Sequence, residues 1–187
     1  MNLISLFISG LLTSNVVLTK FLGICPFIGT SKKKKNALDM GISVMLVVVL
    51  SSIITYLIYN YILVPTNTTY LKTIMFILVI ASLVQSLEIL LKKFLPNIYS
   101  SLGLYLPLIT TNCCVLGITL LNIDNGYNLI EMLVYSVSSS LGFTLVIYIF
   151  SSMRERLEEC NVPKSFKGTP IALIIAAIMS LIFMRFN

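Results

Sequence analysis

Apolar residues recur along this chain in long runs, at about 3–24, 38–60, 71–91, 102–121, 129–152 and 170–186, separated by short polar connections. The runs are continuous rather than one-sided, which is the mark of spanning helices and not of amphipathic soluble ones. A run of about 20 residues crosses roughly 30 Å of hydrocarbon at about 1.5 Å per residue. The pattern therefore predicts an all-α integral membrane protein with six transmembrane helices in a single domain, 1–187. The first run begins at Met1 with no basic start and no small-residue cleavage site, and "SKKKK" (31–35) follows it. It is read as a retained span, not as a signal peptide.

Two runs are interrupted. The first carries Asn15, Thr19 and Gly23, and the fourth carries Pro107, Thr110, Thr111 and Asn112, all residues that weaken a helix. Cutting the chain after Lys93 leaves three runs in each half, and an offset of 88 lays "CPFIG" (25–29) over "CCVLG" (113–117). Cys25 then meets Cys113, Phe27 meets Val115, Ile28 meets Leu116 and Gly29 meets Gly117. Because three is odd, the halves 1–93 and 94–187 would run oppositely through the bilayer as inverted repeats, each opening on an interrupted helix. Membrane folds of that kind bury irregular backbone near the midplane and build a site there.

Composition agrees with the pattern: 57% of residues are hydrophobic and 11% charged, against about 25% charged in a soluble domain. The longest connection, about 153–169, is too short to fold alone, so no soluble catalytic domain is present. The chain has no His, no phosphate-cradling Gly-Lys-Ser/Thr and no Gly-x-Gly-x-x-Gly. Haem ligation by His and nucleotide hydrolysis are therefore not available from these residues.

The net charge of +6 is a topology signal before it is anything else. Ten basic residues (32–35, Lys92, Lys93, Arg154, Arg156, Lys164 and Lys167) fall in the first, third and fifth connections. Only Lys72 and Arg185 fall on the other side, with Lys20 inside a span. The positive-inside rule makes the odd connections cytoplasmic and sends both termini outside. One determinant explains all these loops together, which a nucleic-acid patch at "SKKKK" would not, and anionic lipid is the natural partner of such loops.

The candidate chemistry is that of thiols. Glu88 is the only acid well inside a run, and it stands four residues before Lys92, the spacing of a surface-reaching ion pair. Lys20 is read either as snorkelling or as offsetting negative charge near Cys25. Cys160 lies in a cytoplasmic connection, where thiols stay reduced. Cys25 and Cys113 are related by the repeat and are soft ligands suited to iron in a sulfide cluster; as alternatives they are small buried hydrophobes or a disulfide pair. A [2Fe-2S] cluster takes four thiolates, and Cys114 on a helix would point about 100° away from Cys113. Two ligands are half a site, and the economical completion is a second protein of similar fold.

The stretches "VVLTKFLGICPFIGTSKK" (16–33), "LPLITTNCCVLGITLLNI" (106–123) and "MRERLEECNVPKSFKG" (153–168) resemble the RnfA family, membrane subunits of the Rnf ion-translocating electron transport complex, along essentially the whole chain. The NqrE subunits of the sodium-pumping NADH:quinone reductase are a similar sister family. The resemblance implies a six-helix inverted-repeat subunit paired with the homologous, oppositely oriented RnfE. It implies a shared [2Fe-2S] cluster held here by Cys25 and Cys113, and electron relay across the inner membrane coupled to Na⁺ or H⁺ movement. The flavin and nicotinamide chemistry would belong to other Rnf subunits. The family usually has Ala where this chain has Cys114, which leaves the ligand open by one residue, although the repeat offset favours Cys113. Readings from other classes are a secondary transporter, which inverted repeats also build, and an assembly subunit whose cysteines only pack.

Overall fold

The computed structural model describes residues 3–13, 15–31, 34–66, 69–94, 108, 112–158, 163, 166 and 168–184, and every regular element among them is helical. Helix α1 (Leu3–Ile8) runs into a π-helical turn (Ser9–Thr13), followed by two short helices, α2 (Val16–Lys20) and α3 (Ile24–Thr30). Then come α4 (Lys34–Ile58), prolonged by a π-helical turn (Tyr59–Leu63), and α5 (Lys72–Phe94). The second half contributes α6 (Cys113–Asp124), α7 (Leu129–Glu158) and α8 (Thr169–Met184).

Among the described residues three helical stretches are long and apolar enough to cross a membrane, Lys34–Leu63, Thr69–Ile89 and Leu129–Leu157, and three shorter apolar helices cover Leu3–Leu12, Cys113–Asp124 and Thr169–Phe183. The first run breaks where its polar residues are, but not at all of them. Thr19 does not interrupt α2, because its hydroxyl donates to the Asn15 carbonyl one turn back (2.8 Å). The breaks fall at Asn15 and at 21–23, and helix resumes beyond the predicted end at 24 as α3. Pro26 permits this, since it stands in the first turn, where a missing N–H breaks no bond. In the fourth run the described helical residues are Leu108 and Cys113 onward; Pro107, Thr110 and Thr111 lie outside the described residues.

Local chemistry sets the other ends. At the start of α7 the Glu131 carboxylate accepts from the Asn128 N–H (3.1 Å), half of a capping box. At the end of α6, Gly126 takes φ +63°, its N–H donates to the Ile123 carbonyl (3.0 Å) and the Tyr127 N–H to the Asn122 carbonyl (3.2 Å). That is the Schellman pattern, which needs a left-handed residue and so favours Gly.

The centre of the bundle is the pair α4 and α7, which run antiparallel, with Lys34 Nζ 2.9 Å from Glu155 Oε2 at one end. Small residues let the backbones approach: a Cβ on Gly41 would lie 2.5 Å from Thr144 Cγ2, and one on Gly142 would lie 2.8 Å from the Leu11 carbonyl oxygen. Lipid is as apolar as Leu, so close packing of this kind, rather than water exclusion, holds spanning helices together. Phe27 of α3 stacks on Phe150 of α7 at 4.1 Å. Buried polar groups are joined across elements: Asn122 Nδ2 donates to Ser136 Oγ (2.9 Å) and Ser52 Oγ (3.3 Å), and Ser136 Oγ donates to Ser52 Oγ (2.9 Å). This triad ties α4, α6 and α7 in a medium where an unmade hydrogen bond is costly.

Candidate functional site

The site begins with two asparagines. Asn15 and Asn112 are both buried. Each holds extended backbone before a helix and accepts from the N–H two residues on, Val17 for Asn15 (3.1 Å) and Cys114 for Asn112 (3.0 Å). An N-cap of this type supplies the partner that the first turn lacks, and in hydrocarbon no water can supply it. Helix α6 therefore starts abruptly at Cys113. The α2 helix ends as abruptly: Phe21 takes φ +55° and Gly23 φ +85°, two left-handed residues that turn the chain before α3.

These two breaks meet. The Gly23 N–H donates to Cys113 Sγ at 2.9 Å, and a Cβ on Gly23 would lie 3.1 Å from the Cys114 Cβ and 3.0 Å from a Phe143 ring carbon. Gly117 of α6 packs on Leu22, so the contact continues one turn along the helix. Away from this meeting point α3 and α6 diverge. The α3 helix ends where Arg154 donates from Nη1 to the Ile28 carbonyl and to Ser31 Oγ, both at 2.8 Å, at the same end of α7 as the Lys34–Glu155 pair. The α6 helix ends at Asp124, which pairs with Lys72, beside the opposite, starting end of α7.

The thiols differ in surroundings. Cys25, in the first turn of α3, is exposed; Cys113, at the first position of α6, is partly exposed; Cys114 is buried. All three are free thiols, so the disulfide alternative is not what the structure has. Cys114 belongs to the hydrophobic core with Val115, Ile118 and Phe143. Among the described residues no group of three or more His, Cys, Asp or Glu converges. Cys160 lies outside the described residues, as does the Lys92 side chain that would answer Glu88. Lys20 is exposed at the end of α2, next to Phe21, which is 59% exposed.

Two residues have roles here that the sequence analysis does not assign them. Arg154 reads there only as a topology charge, yet it is 7% exposed and grips the end of α3 from 126 positions away. No local signal announces it. Asn112 reads only as a helix-weakening residue, although Asn immediately before a helical run is an N-cap signal.

Similarity to known proteins covers the whole chain. The model of the family described as "Rnf-Nqr subunit, membrane protein" matches residues 3–187. The A-type subunit of the Na⁺-translocating ferredoxin:NAD⁺ oxidoreductase complex of Acetobacterium woodii is 51% identical, over all of this chain and 97% of its own. The A-type subunit of an ion-translocating oxidoreductase complex is 48% identical in Syntrophotalea carbinolica, over 99% of this chain and 96% of that one. The corresponding Escherichia fergusonii protein is 50% identical, over 97% and 94%. With thiols set at the junction of two broken helices and likeness from end to end, the chain belongs to the Rnf-Nqr family of membrane subunits.

Proposed function

We propose that this chain is the RnfA component of an Rnf-type ion-translocating oxidoreductase complex in the bacterial inner membrane. In this reading it relays electrons across the bilayer through a [2Fe-2S] cluster shared with a homologous subunit, RnfE, with coupling to Na⁺ or H⁺ translocation. The names of relatives about half identical over nearly full length support the first statement. One observation carries the second: Cys25 and Cys113 stand on separate broken helices whose starts are joined by the Gly23–Cys113 hydrogen bond, with both thiols open to the surface.

The donor set fits such a group as half of it. Two soft thiols open to the surface can bind from one side, and a partner of similar fold supplies the other two of four thiolates. Bound there, a [2Fe-2S] group supplies a one-electron relay that divides roughly 30 Å of hydrocarbon into two shorter hops. The chain's own part is positioning. Asn112 sets where α6 starts, Arg154 fixes the far end of α3, and Phe27 stacked on Phe150 seats α3 against α7.

The six-span inverted arrangement belongs to the same proposal. Helix α6 is about 18 Å long and α3 about 10 Å, so end to end they match one hydrocarbon thickness and not two. The Lys34–Glu155 pair joins the first and fifth connections, and Lys72–Asp124 joins the start of α5, where the second connection ends, to the fourth connection, as alternation of sides requires. With the basic connections cytoplasmic, both termini lie outside.

The test is iron analysis with electron paramagnetic resonance on the copurified pair of subunits. Two iron atoms per pair and a reduced [2Fe-2S] signal are expected. A stable, iron-free pair would overturn the relay and return the transporter and assembly readings.

A further inference from the structure

The hydrogen bond between the two broken helices does more than fasten them. Gly23 is the last residue before α3, and its N–H is spent on Cys113 Sγ rather than on a carbonyl. The residue must be glycine for two separate reasons. Its φ of +85° is left-handed, where a Cβ is strained. Any Cβ would also press on Cys114 at 3.1 Å and on the Phe143 ring at 3.0 Å, and both neighbours are fully buried. Neither neighbour is the free end of a flexible chain. The position therefore holds one backbone N–H against one sulfur.

We propose that Gly23 is a positioning residue that tunes the electronics of the site through Cys113, its backbone N–H drawing charge from that sulfur and raising the reduction potential of the group the sulfur holds. This rests on the proposed function above, since it requires Cys113 to be a ligand. The direction follows from charge: reduction adds an electron, part of its density reaches the thiolate sulfurs, and a donor aimed at one of them stabilises the reduced form. The effect is one-sided within this chain, because no hydrogen bond to Cys25 Sγ is present among the described residues while Cys113 has one. The two ligands contributed by this chain are accordingly inequivalent.

The experiment uses the assembled complex grown with [¹⁵N]glycine, reduced, and examined by hyperfine sublevel correlation spectroscopy beside an unlabelled sample. The expected result is a ¹⁵N coupling from one glycine nitrogen. In Gly23→Ala that coupling should disappear from the glycine label, and the reduction potential should move to a lower value with iron content retained. A [2Fe-2S] signal with no difference between labelled and unlabelled wild-type complex overturns the inference and leaves the relay intact, and this arm does not depend on the variant folding. A coupling that persists unchanged in Gly23→Ala assigns it to another glycine and overturns it equally. Absence of any iron–sulfur signal from the wild-type complex overturns the proposed function and this inference together.

Discussion

Cys113 and Cys114 are chain neighbours with opposite surroundings. One is partly exposed and meets the Gly23 N–H; the other is wholly buried among Val115, Ile118 and Phe143. The cause is the N-cap: Asn112 starts the helix one residue before the pair, and successive side chains then point about 100° apart. Different outcomes follow for the two. Cys114→Ala removes one buried atom, so it should cost about 1 kcal/mol in packing and leave iron content near that of the parent. Cys25→Ser and Cys113→Ser retain size but lose the soft ligand. Each should reach the membrane, assemble with its partner, and lack the [2Fe-2S] signal in paramagnetic resonance. Full iron content and full electron transfer in either serine variant would remove that residue from the ligand set.

At the scale of elements the short helices are the informative ones. A seven-residue helix such as α3 cannot sustain itself, and it is held by what touches its ends. Arg154 makes two hydrogen bonds at its end. Arg154→Met should leave the Ile28 carbonyl without that donor, cost about 2 kcal/mol for a charged hydrogen bond lost from a buried place, and speed hydrogen exchange of the amides at 24–31. Arg154→Lys keeps the charge without the planar fork, so it should recover part of the protection. Unchanged exchange in Arg154→Met would show that α3 is held by Phe27 on Phe150 instead. In the long helices close approach is the sensitive feature. Gly41→Val places new atoms against Thr144, at a contact already 2.5 Å from an added Cβ. It should lower the detergent-solubilised melting temperature through about 1–3 kcal/mol of overpacking.

For the whole molecule the basic connections predict the orientation. A cysteine introduced near Met1 should react with an impermeant thiol reagent in intact cells, and one beside Lys33 should not. The opposite labelling would overturn the proposed six-span topology. The two ion pairs add a molecular counterpart, since they join connections that the charge census assigns to the same side.

Much of this is legible in the residues themselves. Runs of about 20 apolar residues, few charges and asymmetrically placed lysines determine a helical membrane protein, because the bilayer leaves the backbone few other ways to satisfy its hydrogen bonds. The interruptions at Asn15, Gly23 and Asn112 are visible as polar or glycine residues where hydrocarbon tolerates neither without reason, and the thiols stand out beside them. What tertiary structure alone decided is who meets whom. That Gly23 reaches a sulfur 90 positions away, that Arg154 turns inward to the end of α3, and that Ser52, Asn122 and Ser136 close a triad are consequences of how α4 and α7 pack and what they bring alongside. A local pattern carries the free energy of one segment in its solvent. It carries no information on long-range partners, whose selection is a property of the packed whole, where a buried polar group is satisfied only by a neighbour that packing brings to it.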